Sequence, residues 1–188
     1  MKKTIATIAT IAILASSTVY AGSASIEYQN ADGVNGTANS NVYQISVSEN
    51  INKNFVIGTT LNTTESSTTG GTTGSRAEVN LLGKTSLGIT SPGLKIATGQ
   101  RFTTTGNFSY YSVEPNITVP VPSTKLSTQL GWRYRNAYNP TANADETKTW
   151  RAGIKYDVTK QDSLGLRYDS VRGDTNQNVW AVNYTRNF

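Results

Sequence analysis

The chain has 188 residues, with 17 Lys and Arg against 12 Asp and Glu, a formal charge of +5, 36% hydrophobic residues, and neither His nor Cys. Missing Cys excludes disulfides, thiolate metal sites and Cys nucleophiles, and missing His excludes Ser-His and Asp-His hydrolytic arrangements. So small a charge does not make a nucleic-acid binder, and no apolar run is long enough for a membrane helix.

Met1-Lys2-Lys3 supplies a positive start, residues 5–15 are apolar but too short to span a bilayer, and Val19-Tyr-Ala21 offers small residues for cleavage. Residues 1–21 are therefore expected to be a cleaved secretory signal peptide, with residues 22–188 as one exported domain. Losing Lys2 and Lys3 takes the formal charge from +5 to +3. From Gly22 onward the chain falls into alternating segments separated by turn formers. They are Ala24 to Asn30, Asn41 to Glu49, Asn54 to Thr63, Arg76 to Ile89, Leu94 to Thr103, Asn107 to Val119, Thr124 to Asn136, Thr147 to Val158, Ser163 to Arg172 and Asn178 to Phe188. Asn50 to Lys53, Ser91-Pro-Gly93 and Thr159 to Asp162 read as tight connections, and Thr64 to Ser75 as a long, mobile external loop. No internal repeat or domain boundary interrupts the series.

Period-two parity then separates two faces. In Thr124 to Asn136, Leu126, Leu130, Trp132 and Tyr134 share one face, and Lys125, Gln129, Arg133 and Arg135 the other. In the next segment Trp150, Ala152, Ile154 and Tyr156 oppose Arg151, Gly153, Lys155 and Asp157. Leu164, Leu166 and Tyr168 oppose Gly165, Arg167 and Asp169, while Leu94, Ile96 and Phe102 oppose Lys95 and Arg101. Arg76, Glu78, Glu27 and Glu114 fall on the charged side of their own segments. Arg or Lys on a lipid face at the bilayer midplane costs about 2–4 kcal/mol, so charge must point into a lumen. The last segment agrees: Trp180, Val182, Tyr184 and Phe188 lie on one side, Ala181, Asn183, Thr185 and Asn187 on the other. A strand ending on an aromatic resembles the C-terminal signal read by the barrel-assembly machinery. Arg186 departs from it, with a stem long enough to lie along lipid while its head reaches the interface.

The expected fold is all-β: an antiparallel up-and-down transmembrane β-barrel of the bacterial outer membrane, about ten strands in an even count, with eight or twelve left open. Candidate pore-lining, anion-binding residues are Arg76, Lys95, Arg101, Arg133, Arg135, Arg151, Lys155 and Arg167. Two readings compete. An excess of bases along a narrow wet passage favours anions, whereas pairing with Asp and Glu plugs a barrel near the filled end of the size scale. The excess favours a porin that passes small anionic solutes by diffusion. The alternative is a closed structural or adhesin-like barrel acting through its external loops.

Leu130-Gly-Trp-Arg-Tyr-Arg-Asn136, Gly153-Ile-Lys-Tyr-Asp157, Gly165-Leu-Arg-Tyr-Asp169 and the terminal Phe resemble the small monomeric porins specific for oligogalacturonate. The likeness lies mainly in the C-terminal half. It implies a narrow monomeric barrel that passes acidic oligosaccharides, with Arg133, Arg135, Arg151 and Arg167, joined by Arg101 and Lys155, along the path. Expected partners are outer-membrane lipid, the assembly machinery at Phe188 and the anionic solute. No nucleic acid, cofactor, metal or enzymatic reaction is expected. Arg172-Gly-Asp174 is ordinary turn chemistry, Asn35-Gly-Thr37 carries no weight as a glycosylation signal, and Tyr156, Trp150, Trp180, Tyr184 and Phe188 read as interfacial girdles. Tyr110 is the best inward aromatic for stacking on a sugar.

Overall fold

The computed structural model describes residues 22–67 and 70–188; the expected signal peptide lies outside these described residues. Ten strands follow in chain order: β1 (Gly22–Gly33), β2 (Ser40–Asn50), β3 (Phe55–Ser66), β4 (Thr72–Lys84), β5 (Ser91–Thr103), β6 (Gly106–Pro120), β7 (Leu126–Ala137), β8 (Thr147–Asp157), β9 (Asp162–Gly173) and β10 (Gln177–Asn187). Each strand pairs antiparallel with its chain neighbours, and β1 pairs with β10, so the sheet closes as an up-and-down barrel without a free edge. Closure satisfies the backbone internally, which is the condition for crossing hydrocarbon with strands. No helix among the described residues is long and apolar enough to cross.

The alternation read from sequence is the alternation observed. On β10, Val179 and Ala181 are buried inside while Trp180, Val182 and Tyr184 are exposed outside. Ile26, Leu61, Val79, Ile96, Leu130, Ile154 and Leu166 continue the exposed apolar exterior around the barrel, and Trp150 is 68% exposed. Buried interior positions are largely polar or charged, including Glu27, Ser112, Glu114, Arg135 and Asp169. This inside-out distribution suits lipid outside and water within. Facing side chains are held level by register, so that Glu27 lies opposite Gln44 on one side and Asn183 on the other.

Both ends of the described chain lie with the turns 51–54, 85–90, 121–125 and 158–161, and the connections 34–39, 67–71, 104–105, 138–146 and 174–176 cluster at the opposite end. Local chemistry builds the tight ones. Asn35 and Gly36 both take positive φ, 54° and 85°, the mirror-image turn that matches strand twist. Asn52 Oδ1 accepts from the backbone amides of Asn54 (2.8 Å) and Phe55 (3.0 Å), and Thr159 Oγ1 accepts from those of Gln161 (3.1 Å) and Asp162 (2.9 Å).

Three connections differ from the sequence expectation. The loop expected over Thr64 to Ser75 shrinks to 67–71, because its Thr and Ser residues extend β3 and β4. Thr is β-branched and suits a pleated strand as well as a loop. β4 stops at Lys84 rather than continuing to Ile89, since Gly88 at φ 60° helps turn the chain into a Leu87–Thr90 bridge. Ser91-Pro-Gly93 accordingly opens β5, and the longest connection is 138–146.

Candidate functional site

Inward side chains divide the lumen into two unlike walls. From β1 to β3 they are small and uncharged apart from Glu27: Gln44, Ser46, Thr60, Asn62 and Thr64 line the space, with Ser46 Oγ and Thr60 Oγ1 hydrogen-bonded at 3.0 Å. From β4 to β9 they are long and charged. Ion pairs run around this second wall. Glu114 takes Arg151 Nη1 through both oxygens at 2.9 Å, Arg151 Nε reaches Asp169 at 3.5 Å, and Asp169 takes Arg167 Nε at 2.9 Å. Arg167 then grips Glu27 with two guanidinium nitrogens at 2.8 and 3.0 Å, a planar fork on a carboxylate. Lys95 Nζ lies 3.4 Å from Glu78.

Nearer the loop end, Arg101 and Arg135 converge at 2.7 and 2.9 Å on one oxygen of Asp145. Asp145 is not on a strand; the 138–146 connection carries it in, and its side chain is fully buried. Arg101 also lies over the Phe108 ring at 5.8 Å, and Arg135 over Tyr110 at 5.7 Å. Tyr110 donates its hydroxyl hydrogen to Glu78 (3.2 Å) and is 2% exposed. It is therefore occupied as a packing element and offers no open face for a sugar. Its strand neighbour shows why Gly99 stands opposite: a Cβ there would fall 2.8 Å from the Tyr110 ring and 2.5 Å from the Ala77 carbonyl oxygen.

Seven bases (Arg76, Lys95, Arg101, Arg133, Arg135, Arg151, Arg167) and five acids (Glu27, Glu78, Glu114, Asp145, Asp169) make up this cluster. Two bases have no counter-ion. The side chains of Arg76 and Arg133 form neither an ion pair nor a hydrogen bond among the described residues, and Arg133 Nε is buried without a partner. Between the walls lies a cavity of about 630 Å³, whose lining runs from Thr37, Asn39 and Thr73 at the loop end to Ser48, Val56 and Leu82 towards the turns. A smaller cavity of about 200 Å³ lies on the turn side, bounded by Glu114, Asn116, Gln129 and Gly131, and shares Lys95, Arg151 and Arg167 with the first.

Seven of the eight predicted site residues thus converge on one cavity. The eighth, Lys155, has the inward parity but pairs with Asp157 at 3.0 Å, half exposed towards the turns and away from the cavity lining. Sequence reasoning missed Asp145, since parity assigns only strand residues. The one available signal was an Asp among Pro, Thr, Ala and Asn in 139–145, directly before a strand whose inward face bears Arg151. Arg172 and Asp174 brace the loop end: Arg172 donates to the Val171 and Gln177 carbonyls, and Asp174 Oδ2 accepts from the Glu146 amide at 2.7 Å. Among the described residues no cluster of acidic side chains could hold a metal ion.

By sequence the chain matches no protein-family profile and no curated protein. By structure it resembles an outer membrane channel of Pseudomonas putida F1, at TM-score 0.58 and 14% identity over 90% of this chain and 96% of that one. It also resembles the KdgM porin, solved in complex with disordered oligogalacturonate, at TM-score 0.50 and 13% identity over 87% of this chain and 99% of that one. The beta domain of the Bordetella autotransporter BrkA follows at TM-score 0.51 and 10% identity, over 89% and 99%. These are likenesses of fold. A closed ten-stranded antiparallel barrel with an apolar exterior is the fold of bacterial outer-membrane proteins.

Proposed function

We propose that this barrel is an outer-membrane porin that passes small anionic solutes, acidic oligosaccharides among them, by diffusion. It would reach the outer membrane as a monomer after loss of residues 1–21, with the assembly machinery engaging the strand that ends at Phe188. The observation that carries the reading is the cavity along the neutral wall, into which Arg76 and Arg133 present guanidinium groups without counter-ions. Uncompensated positive charge beside a low-dielectric wall concentrates anions and repels cations. Planar guanidinium forks suit carboxylates better than a point charge does. No reaction is assigned, and selection is electrostatic.

The closed-barrel reading rests on a different observation: Asp145 and the Glu114-to-Glu27 chain of ion pairs fill much of the β4–β9 side. Single-channel recording of the refolded protein in a planar bilayer, under a salt gradient, separates the two. Discrete steps with anion preference are expected. A folded barrel that stays electrically silent would overturn the porin reading and leave the external loops as the working surface.

A further inference from the structure

Five carboxylates pair with lumen bases, and four of them, Glu27, Glu78, Glu114 and Asp169, sit on strands where the ladder fixes them. Asp145 alone arrives on a loop. Its ties to the barrel are few. Tyr138 N donates to the Ser109 carbonyl at 3.1 Å, the Tyr138 hydroxyl donates to Thr98 Oγ1 at 3.2 Å and its ring packs 5.3 Å from that of Tyr111, and Glu146 and Asp174 exchange two bonds at 2.7 and 2.8 Å. Between those anchors, the Ala142 and Asn143 amides bond only to the Asn139 carbonyl of the same loop. Among the described residues, the Asp145 carboxylate provides the sole hydrogen bonds or ion pairs from 139–145 to the rest of the barrel.

That carboxylate is also incompletely used. One oxygen serves both Arg101 and Arg135, while Oδ2 is buried with no partner, as is Arg135 Nε. Arg76 faces Arg101 across β4 and β5, feels the Asp145 charge, and makes no contact ion pair. Three guanidinium groups therefore surround a position that one monodentate carboxylate half satisfies. Two charge-assisted bonds to one oxygen leave donors over for a second acceptor.

We propose that Arg76, Arg101 and Arg135 form a carboxylate-binding site at the loop end of the lumen, that Asp145 is its resident occupant, and that an incoming carboxylate displaces Asp145 and lifts the 138–146 loop. The inference deepens the anion-passage reading and rests on it for its biological use. Displacement costs only the loop's local contacts, and a multiply charged acid can engage the donors that Asp145 leaves idle. A tethered competitor on a short linker acts at an effective concentration of ~mM, so a free acid competes at millimolar levels.

The test uses citrate as the probe carboxylate, titrated calorimetrically into the folded protein in detergent. Asp145→Asn removes the resident charge, and citrate affinity should rise at least tenfold over wild type; adding Arg135→Gln should abolish the gain. Equal affinity for wild type and Asp145→Asn would overturn the proposal. Should Asp145→Asn not fold, a nitroxide on Ala144→Cys in the otherwise wild-type chain, which has no Cys of its own, reports the loop directly. Millimolar citrate should mobilise that label, and an unchanged spectrum would refute displacement. The two proposals fail separately: wild-type barrels that never conduct while the citrate gain persists would sink the porin alone, and anion-selective conductance with no citrate gain would sink the resident counter-ion alone.

Discussion

The β1–β3 wall and the β4–β9 wall obey the same apolar-out, polar-in alternation, yet one leaves room and the other fills it. The difference is side-chain length and charge. Ser46 and Thr60 satisfy each other at short range and, with Asn62, leave the cavity beside them. Arg151 and Arg167 reach far enough to bind acids on strands other than their own, tying β6, β8, β9 and β1 through Glu114, Asp169 and Glu27. In so narrow a barrel, open space and a brace cannot occupy the same wall. The molecule gives each its own side, and the contrast can be attacked from either.

The strongest blow is to the brace. Arg151→Ala would leave Glu114 and Asp169 without their shared cation, and breaking a buried pair costs about 3–5 kcal/mol; urea unfolding in lipid or detergent should show it, while Gln44→Ala on the neutral wall should move stability by no more than about 0.5 kcal/mol. A matched pair of insertions comes next. Val182→Arg on the exterior should cost about 2–4 kcal/mol of barrel stability, whereas Thr60→Arg, pointing into the cavity, should spare folding and cut conductance. Equal destabilisation by both would contradict the assignment of faces. Gly99→Ala should cost about 1–3 kcal/mol, because the new methyl meets the Tyr110 ring and the Ala77 carbonyl. Smallest in stability but most telling for function, Arg76→Gln with Arg133→Gln should shift the unfolding midpoint by less than about 1 kcal/mol. The pair should still move reversal potentials towards non-selectivity. These two guanidinium groups brace nothing, so loss of fold would mean they do.

The ten segments and their inward faces were legible because lipid punishes a misplaced charge, which makes parity in segments such as Thr147 to Val158 nearly unambiguous. Seven of the residues that line the cavity followed from that parity alone. Connections were harder. Thr and Ser between Thr64 and Ser75 serve strands and loops alike, and only pairing between β3 and β4 decides for strand. Which acid meets which base was out of reach, since Arg167 and Glu27 are 140 positions apart and meet only through closure. Asp145 was invisible for a related reason. Parity has nothing to say about a loop, and the Arg pair that draws it inward belongs to β5 and β7. Lys155 shows the opposite limit, because parity gives the face but not the height at which a side chain enters the lumen.

Pro115 sits on the outward face of β6, and there the ladder to β7 lapses, running to Val113↔Tyr134 and resuming at Asn116↔Gly131 with no residue inserted. Proline has no amide hydrogen to give, and surrounding hydrocarbon supplies no substitute. The cylinder thus has a stitch missing between two strands that carry Glu114 and the uncompensated Arg133. A hoop under tension opens at its thinnest weld. Deuterium uptake by the amides of Trp132 and Arg133 should outpace that of membrane-level amides elsewhere in the barrel, and Pro115→Val should slow it. Lateral breathing of this wall would then begin beside the very guanidinium group that faces the cavity.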